Sequence, residues 1–253
     1  MLLIHGMIVA GRSLVPLADQ LAQRGFAVWV PDLPGFGASE RPRRALGVNG
    51  LADALAAWAM SIRLPTCAVV GNSFGTQVAA ALVDRHPRLA SRLALVAPTI
   101  DSRLRRWAMP RLLPARSDPP RQFLVAPRSS PLRLLQRLLI PPLDLEGPPS
   151  LRRLIVNEYA LAGPLRVLST YRWALVDDLA ARMAAVEVPV LVARGSRDSL
   201  VSPAWASQLA RRASEGGDLE IAGVDHDAGY NAPATLAQAL APFLRNECPV
   251  PVG

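Results

Sequence analysis

Ser73 is the residue of this sequence best placed to do chemistry. It stands at the centre of Gly71-Asn72-Ser73-Phe74-Gly75, after the apolar run Ala68-Val69-Val70 and before a helical stretch at 74–85. A chain that turns from strand to helix in one step forces its central residue into a strained backbone conformation. Glycines two before and two after leave room for neighbouring segments to pack close. The hydroxyl then projects alone above the sheet edge. The helix N-terminus behind it offers free N–H groups and a positive dipole end to developing negative charge. The chemistry this suits is nucleophilic attack by a serine oxygen, which needs a base to take its proton.

The chain holds three histidines, His5, His86 and His226. His86 precedes Pro87 at the end of a helical stretch and reads as a surface helix terminator. His5 lies in a His-Gly turn after the first strand, where hydrogen bonds that shape the turn suit it better than proton transfer. His226 lies in Gly223-Val224-Asp225-His226-Asp227-Ala228-Gly229, a polar loop after the last strand. Ligands meet an open α/β sheet at the carboxyl ends of its strands, so His226 is the expected base. The acid that fixes the imidazole tautomer and stabilises the imidazolium belongs at another strand end. Asp198, three residues past Gly195, is favoured, and Asp101, after the strand at 93–96, is its competitor. Asp225 and Asp227 flank the base and read as solvated loop charges.

These side chains need a scaffold, and the hydrophobic pattern supplies one. Short apolar runs predict strands at 2–4, 27–30, 68–70, 93–96, 189–193 and 219–221. Helices are predicted at 13–24, 51–62, 74–85, 203–212 and 233–244. The first of these carries Leu14, Leu17, Ala18, Leu21 and Ala22 on one face and is ended by Gly25. The texture changes beyond Pro98. Residues 101–149 carry ten prolines, and nine arginines fall between Arg103 and Arg137. Amphipathic helices are predicted there at 132–140 and just beyond at 151–162. The domain reading is a core in two parts, 1–100 and 179–246, interrupted by a mostly helical insertion at 101–178 and followed by a tail at 247–253. Repeated strand–helix units imply an α/β class with a mostly parallel sheet and helices on both faces.

Composition narrows the rest. The chain has 253 residues, enough for one large α/β domain, and about half of them are hydrophobic. The formal net charge is +8, with every basic side chain an arginine and no lysine. That pattern fits a genome base bias, and the aromatic content is too low for base-stacking platforms, so no nucleic-acid partner is expected. Cys67 and Cys248 lie far apart. Their spacing suggests neither a metal site nor a disulfide framework, which fits a reducing, cytoplasmic setting. No apolar run is long enough for a membrane span. Residues 1–10 lack the basic start of a signal peptide.

The sequence resembles the α/β-hydrolase superfamily, in its compact, cap-bearing branch of serine hydrolases. The likeness covers nearly the whole chain. It rests on His5-Gly6, Asp32-Leu33-Pro34-Gly35-Phe36-Gly37-Ala38-Ser39, the Gly-x-Ser-x-Gly elbow, Gly195-Ser196-Arg197-Asp198, and His226 near the end. The order serine, acid, histidine is the one such proteins use. The resemblance implies the α/β-hydrolase fold and a catalytic set of Ser73, Asp198 and His226. It implies an oxyanion hole formed by the backbone N–H groups of Met7 and Phe74, a structural role for Asp32, and a cap at 101–178 that shapes the pocket for a small-molecule substrate. No cofactor or metal is implied. Relatives carry one or two strands before the His-Gly strand. The expectation is therefore a chain start set late, with the 27–30 strand left as an unpaired edge.

The expected function is hydrolysis of a small to medium carboxylic ester through an acyl-enzyme on Ser73. Dehalogenases and epoxide hydrolases of this fold carry aspartate at the nucleophile position, which Ser73 argues against. A C–C bond hydrolase or an acyltransferase would use the same three residues. A catalytically silent binding protein on the same fold is the non-enzyme alternative. Docking of the arginine-rich insertion on anionic membranes or acidic substrates stands behind the plainer reading of solvated arginines.

Overall fold

A computed structural model describes residues 1–101 and 150–245. Its centre is a five-stranded sheet in which every neighbouring pair is parallel: β1 (Leu2–Ile4), β2 (Cys67–Asn72), β3 (Ala90–Val96), β4 (Val190–Gly195) and β5 (Gly216–Ile221), in that spatial order. The middle strands are continuous apolar runs because both their faces are covered. Leu93, Ala94, Leu95, Val190, Val192 and Ala193 are fully buried. β5 is a sheet edge and reads differently, with Gly216, Gly217, Asp218 and Glu220 among its six residues.

The helices are α1 (Val15–Ala22), α2 (Val48–Ser61), α3 (Gly75–Arg85), α4 (Leu151–Ala162), α5 (Pro164–Val176), α6 (Leu179–Met183), α7 (Pro203–Ala210), α8 (Ala228–Asn231) and α9 (Pro233–Arg245). α1 packs on α8 and α9. α3 packs on α2, α6 and the strands β1, β2 and β3, and α7 packs on α6, β4 and β5. α3 is buried from Gly75 through Val83; past the polar Thr76 and Gln77 this stretch is wholly apolar, as suits a helix covered on every face.

Most predicted elements recur with small shifts at their ends. α2 begins three residues earlier than the pattern suggested, after Gly47 as its N-cap. The helix predicted at 13–24 splits into a 3-10 turn (Gly11–Leu14) and α1, with Pro16 in the first turn where its missing N–H costs nothing. The strand predicted at 27–30 requires correction. It forms a single parallel bridge, Trp29 to Leu2, with Leu3 N–H donating to Trp29 O (2.8 Å) and Trp29 N–H to Met1 O (2.9 Å). Its neighbour β1 is only three residues long and Pro31 follows, so the ladder has nothing to extend along.

The segment between β3 and β4 is described from Ser150 onward. Ser150 caps α4 through its hydroxyl, and Gly163, with φ at +82°, makes the corner into α5. Polar contacts tie these helices to the rest, among them the following. Gln77 Nε2 donates to Ala174 O (2.8 Å), Arg166 Nη2 donates to Pro42 O (2.8 Å), and Glu158 pairs with Arg12 (3.1 Å). The helix predicted at 132–140 and the tail at 247–253 lie outside the described residues.

Candidate active site

Ser73 sits between β2 and α3 with φ at +54°, in the left-handed region that a side chain rarely adopts. Such a conformation costs about 1–3 kcal/mol and persists only when its surroundings dictate it. Here they do. Ser73 N–H donates to Val96 O (2.9 Å), and Ser73 O accepts from Thr76 N–H (3.0 Å) and Thr76 Oγ1 (2.6 Å). Gly75 lets α3 start directly against β1, since a Cβ there would come within 2.7 Å of His5 O and strike Ile4 O.

The acid turn and the base loop leave the ends of β4 and β5, which are neighbours in the sheet. They are fastened together. Ser196 N–H donates to Ile221 O and Arg197 N–H to Val224 O, each at 2.9 Å, and Gly223 N–H donates to Ser196 Oγ at 2.9 Å. A Cβ on Gly195 would strike the Val224 carbonyl, so glycine is what permits this closeness. Arg194, buried beneath the turn, donates to Gly195 O (2.7 Å) and pairs with Glu220 (2.5 Å).

Together these elements bring three of the sequence-predicted residues into one hydrogen-bonded chain. His226 Nδ1 lies 2.9 Å from Asp198 Oδ2, and His226 Nε2 lies 3.1 Å from Ser73 Oγ. Nδ1–H donates to the carboxylate, which leaves Nε2 to accept from the serine hydroxyl. The Asp198 side chain is fully buried, while His226 remains 16% exposed. Burial alone would push the Asp198 carboxyl up. Its bond to His226, the imidazolium charge and the N–H groups of Leu200 (2.8 Å) and Val201 (3.2 Å) outweigh that and hold it below the usual carboxylate range. Burial pulls His226 down, but the bond and charge of Asp198, helped by Asp227 and Asp225, raise it above the ordinary histidine value. Asp101, the competitor, lies five residues past the end of β3, and the ring of His226 is bonded to Asp198 instead.

The other candidates fall into place around this chain. His5 is fully buried, and its ring joins Gly6 O (2.8 Å) to Leu33 N–H (2.9 Å), the turn-shaping role its position suggested. His86 ends α3 and pairs with Asp53 (2.8 Å), as a helix terminator would. Asp32 accepts from Gly11 N–H (2.7 Å) and Ala38 N–H (2.8 Å), pinning its loop. Gly6 lies against the nucleophile, for a Cβ there would meet Ser73 Cβ at 3.2 Å. Met7 follows it directly, and Phe74 is the N-cap residue of α3. Among the described residues, the N–H groups of Met7 and Phe74 donate to no protein acceptor.

Two features went unseen in the sequence. Asp225 and Asp227 are more than solvated charges. Asp225 is exposed, yet its carboxylate accepts from Asp227 N–H and Asn231 Nδ2, both at 3.0 Å, and Asp227 is half-buried. Burial pushes the Asp227 carboxyl up. The second is Arg166, 1% exposed on α5. Only the fully polar triplet Asp225-His226-Asp227 could have hinted at the first, and nothing in the pattern marks the second.

The family model for serine aminopeptidases of the S33 type matches residues 1–226. The AB hydrolase superfamily protein YisY of Bacillus subtilis (strain 168) is 23% identical over 242 residues, 95% of this chain and 89% of that protein. Among solved structures, a thermophilic esterase from Thermogutta terrifontis superposes with a TM-score of 0.70 at 22% identity, covering 97% of this chain and 89% of the esterase. A bacterial membrane phospholipase A superposes with a TM-score of 0.71 at 22% identity, covering 97% and 78%. At these identities, the superpositions establish the α/β-hydrolase fold.

Proposed function

The chain belongs to the S33 serine aminopeptidase family of α/β hydrolases, and on that premise we propose that it is a serine hydrolase cleaving a small to medium carboxylic ester through an acyl-enzyme on Ser73. The observation that carries this reading is the unbroken chain from Ser73 Oγ through His226 to Asp198. His226 Nε2 takes the hydroxyl proton as Ser73 Oγ attacks the carbonyl carbon. The carbonyl π electrons move to oxygen, and the N–H groups of Met7 and Phe74 hold that oxyanion. Asp198 keeps the imidazole in the required tautomer and stabilises the imidazolium without taking the proton. The tetrahedral intermediate then collapses. The bond to the alcohol oxygen breaks, and His226 returns its proton to the departing alcohol. Water, deprotonated by His226, attacks the acyl-enzyme in the same manner, releasing the acid and restoring Ser73. This route needs neither metal nor cofactor.

The stretch at 101–178 is read as the cap that shapes the substrate pocket. The cytoplasm is read as its compartment from cysteine usage alone. Among the described residues no helix is long and apolar enough to cross a membrane.

Fluorophosphonate labelling tests the nucleophile. The wild type should label at Ser73, and Ser73→Ala should lose labelling and drop kcat on chromogenic esters by roughly 10⁶-fold. Equal labelling of Ser73→Ala, or none of the wild type, would end the proposal. Turnover of vinylogous diketones in place of esters would move the assignment to C–C bond hydrolysis.

A further inference from the structure

Gly6 O and Met7 N–H belong to one peptide plane. The chain has no cis peptide among its described residues, so this N–H points away from its carbonyl. Whatever orients the carbonyl therefore aims the N–H. The carbonyl is held by His5. Leu33 N–H donates to His5 Nε2 (2.9 Å), so Nδ1 carries the ring proton and donates to Gly6 O (2.8 Å). The hold has something to resist. Ile8, the residue after Met7, sits at φ +66°, a conformation that a β-branched side chain avoids. A turn strained in this way stays put only if its neighbours over-determine it.

His5 is in turn fixed by the turn around residues 33–36. Besides the Leu33 bond, the Phe36 ring meets the His5 ring edge-on, with centroids 5.7 Å apart and planes at 71°. Phe36 N–H donates to Leu33 O (2.9 Å), and Gly35 N–H donates to Glu40 O (2.8 Å). This turn is gripped from outside by α5. The buried guanidinium of Arg166 packs against Gly35, where a Cβ would come within 2.6 Å of Arg166 Cζ, and its Nη2 donates to Pro42 O (2.8 Å). A planar guanidinium can do both at once, whereas an ammonium cannot.

We propose that Arg166 is a positioning residue for the oxyanion hole, acting through the Gly35–Phe36 turn and the His5 ring on the Gly6–Met7 peptide. The inference rests on the Ser73 reading above. It makes α5, in the stretch between β3 and β4, part of what aims the Met7 N–H, in addition to any part it has in shaping a pocket.

The rate of Ser73 labelling by a fluorophosphonate reads the hole directly, because the phosphoryl oxygen takes the oxyanion position. Arg166→Met keeps the volume and loses the fork, and Arg166→Lys keeps the charge and loses the fork. Both should slow the maximal labelling rate by roughly 10- to 100-fold. The concentration for half-maximal rate should change little. The pH midpoint of labelling should stay where it is, because His226 and Asp198 stand on other elements. Phe36→Leu interrupts the same relay and should slow labelling similarly. The Arg166→Met and Phe36→Leu double variant should be no slower than the slower single one. Unchanged rates in folded variants, a moved pH midpoint, or multiplying effects in the double variant would overturn the inference and leave the Ser73 reading standing. If Arg166→Met does not fold, Arg166→Lys decides by the same rate and midpoint, with Phe36→Leu as its partner in the double variant. A wild type that never labels would end both.

Discussion

His226 is under opposing influences at the residue scale. Burial favours the neutral ring, while Asp198, Asp227 and Asp225 favour the imidazolium, and the balance lies above the ordinary histidine value. The proposed base acts only when neutral, so kcat/KM is lost as pH falls through that raised pKa. Asp227→Asn removes one negative charge that favours the imidazolium. The acid limb of the kcat/KM profile should then shift to lower pH with the plateau little changed. A limb that stays in place or moves upward would show that the Asp227 charge does not reach the base. The same pair bears on stability with opposite signs. Asp198, held low, stabilises the fold above its unfolded pKa and loses that contribution as pH falls through its folded value. His226, held high, contributes below its unfolded pKa and loses the contribution as pH rises through its folded value.

The elbow is decided at the scale of elements, where α3 meets β1 and β2. Alanine in place of glycine within an exposed helix usually stabilises by about 1 kcal/mol. At Gly75 the sign should reverse, because the new methyl meets backbone carbonyls of Ile4 and His5 that no rotamer change can move. Gly75→Ala should cost about 1–3 kcal/mol and lower Tm by roughly 2–4 °C for each of those kcal/mol. A calorimetric scan that finds a higher Tm would show that α3 can draw back from the strand. The element endings follow the same logic. α2 begins at Val48 because Gly47 can serve as N-cap, and the expected strand at 27–30 shrinks to one bridge because β1 offers three residues to pair with.

At the scale of the whole molecule, the sheet is strongest at its centre. β2, β3 and β4 are paired on both sides and bury nearly every residue, whereas β5 and the Trp29 bridge stand at the two edges. Amide hydrogen exchange should therefore be slowest at 69–70, 93–96 and 190–193. It should be fastest, among strand residues, in β5 and around Trp29. Edge amides as protected as the central ones would mean that a partner covers those edges.

The sequence by itself determined the parts of this protein that depend on local pattern. An all-apolar run is a buried strand, a Gly-x-Ser-x-Gly between strand and helix is an elbow, and three histidines leave one in a polar loop after the last strand. Those signals were enough to anticipate five of the strands, the α/β class and the pairing of Ser73 with His226, with Asp198 favoured over Asp101; the α/β-hydrolase fold came from the resemblance to known proteins. The roles of Asp225, Asp227, Arg194 and Arg166 were decided by tertiary structure alone. Arg194 and Arg166 depend on contacts between segments far apart along the chain, such as Arg166 and Pro42 at a separation of 124 residues, whereas Asp225 is held by local bonds from Asp227 N–H and Asn231 that a residue pattern does not reveal. A buried arginine also breaks the apolar face by which a helix is read from sequence, so α5 carried its most consequential side chain where the pattern was weakest. Ser73 could be found from its neighbours in sequence; how its surroundings are aimed depends on a residue far away along the chain.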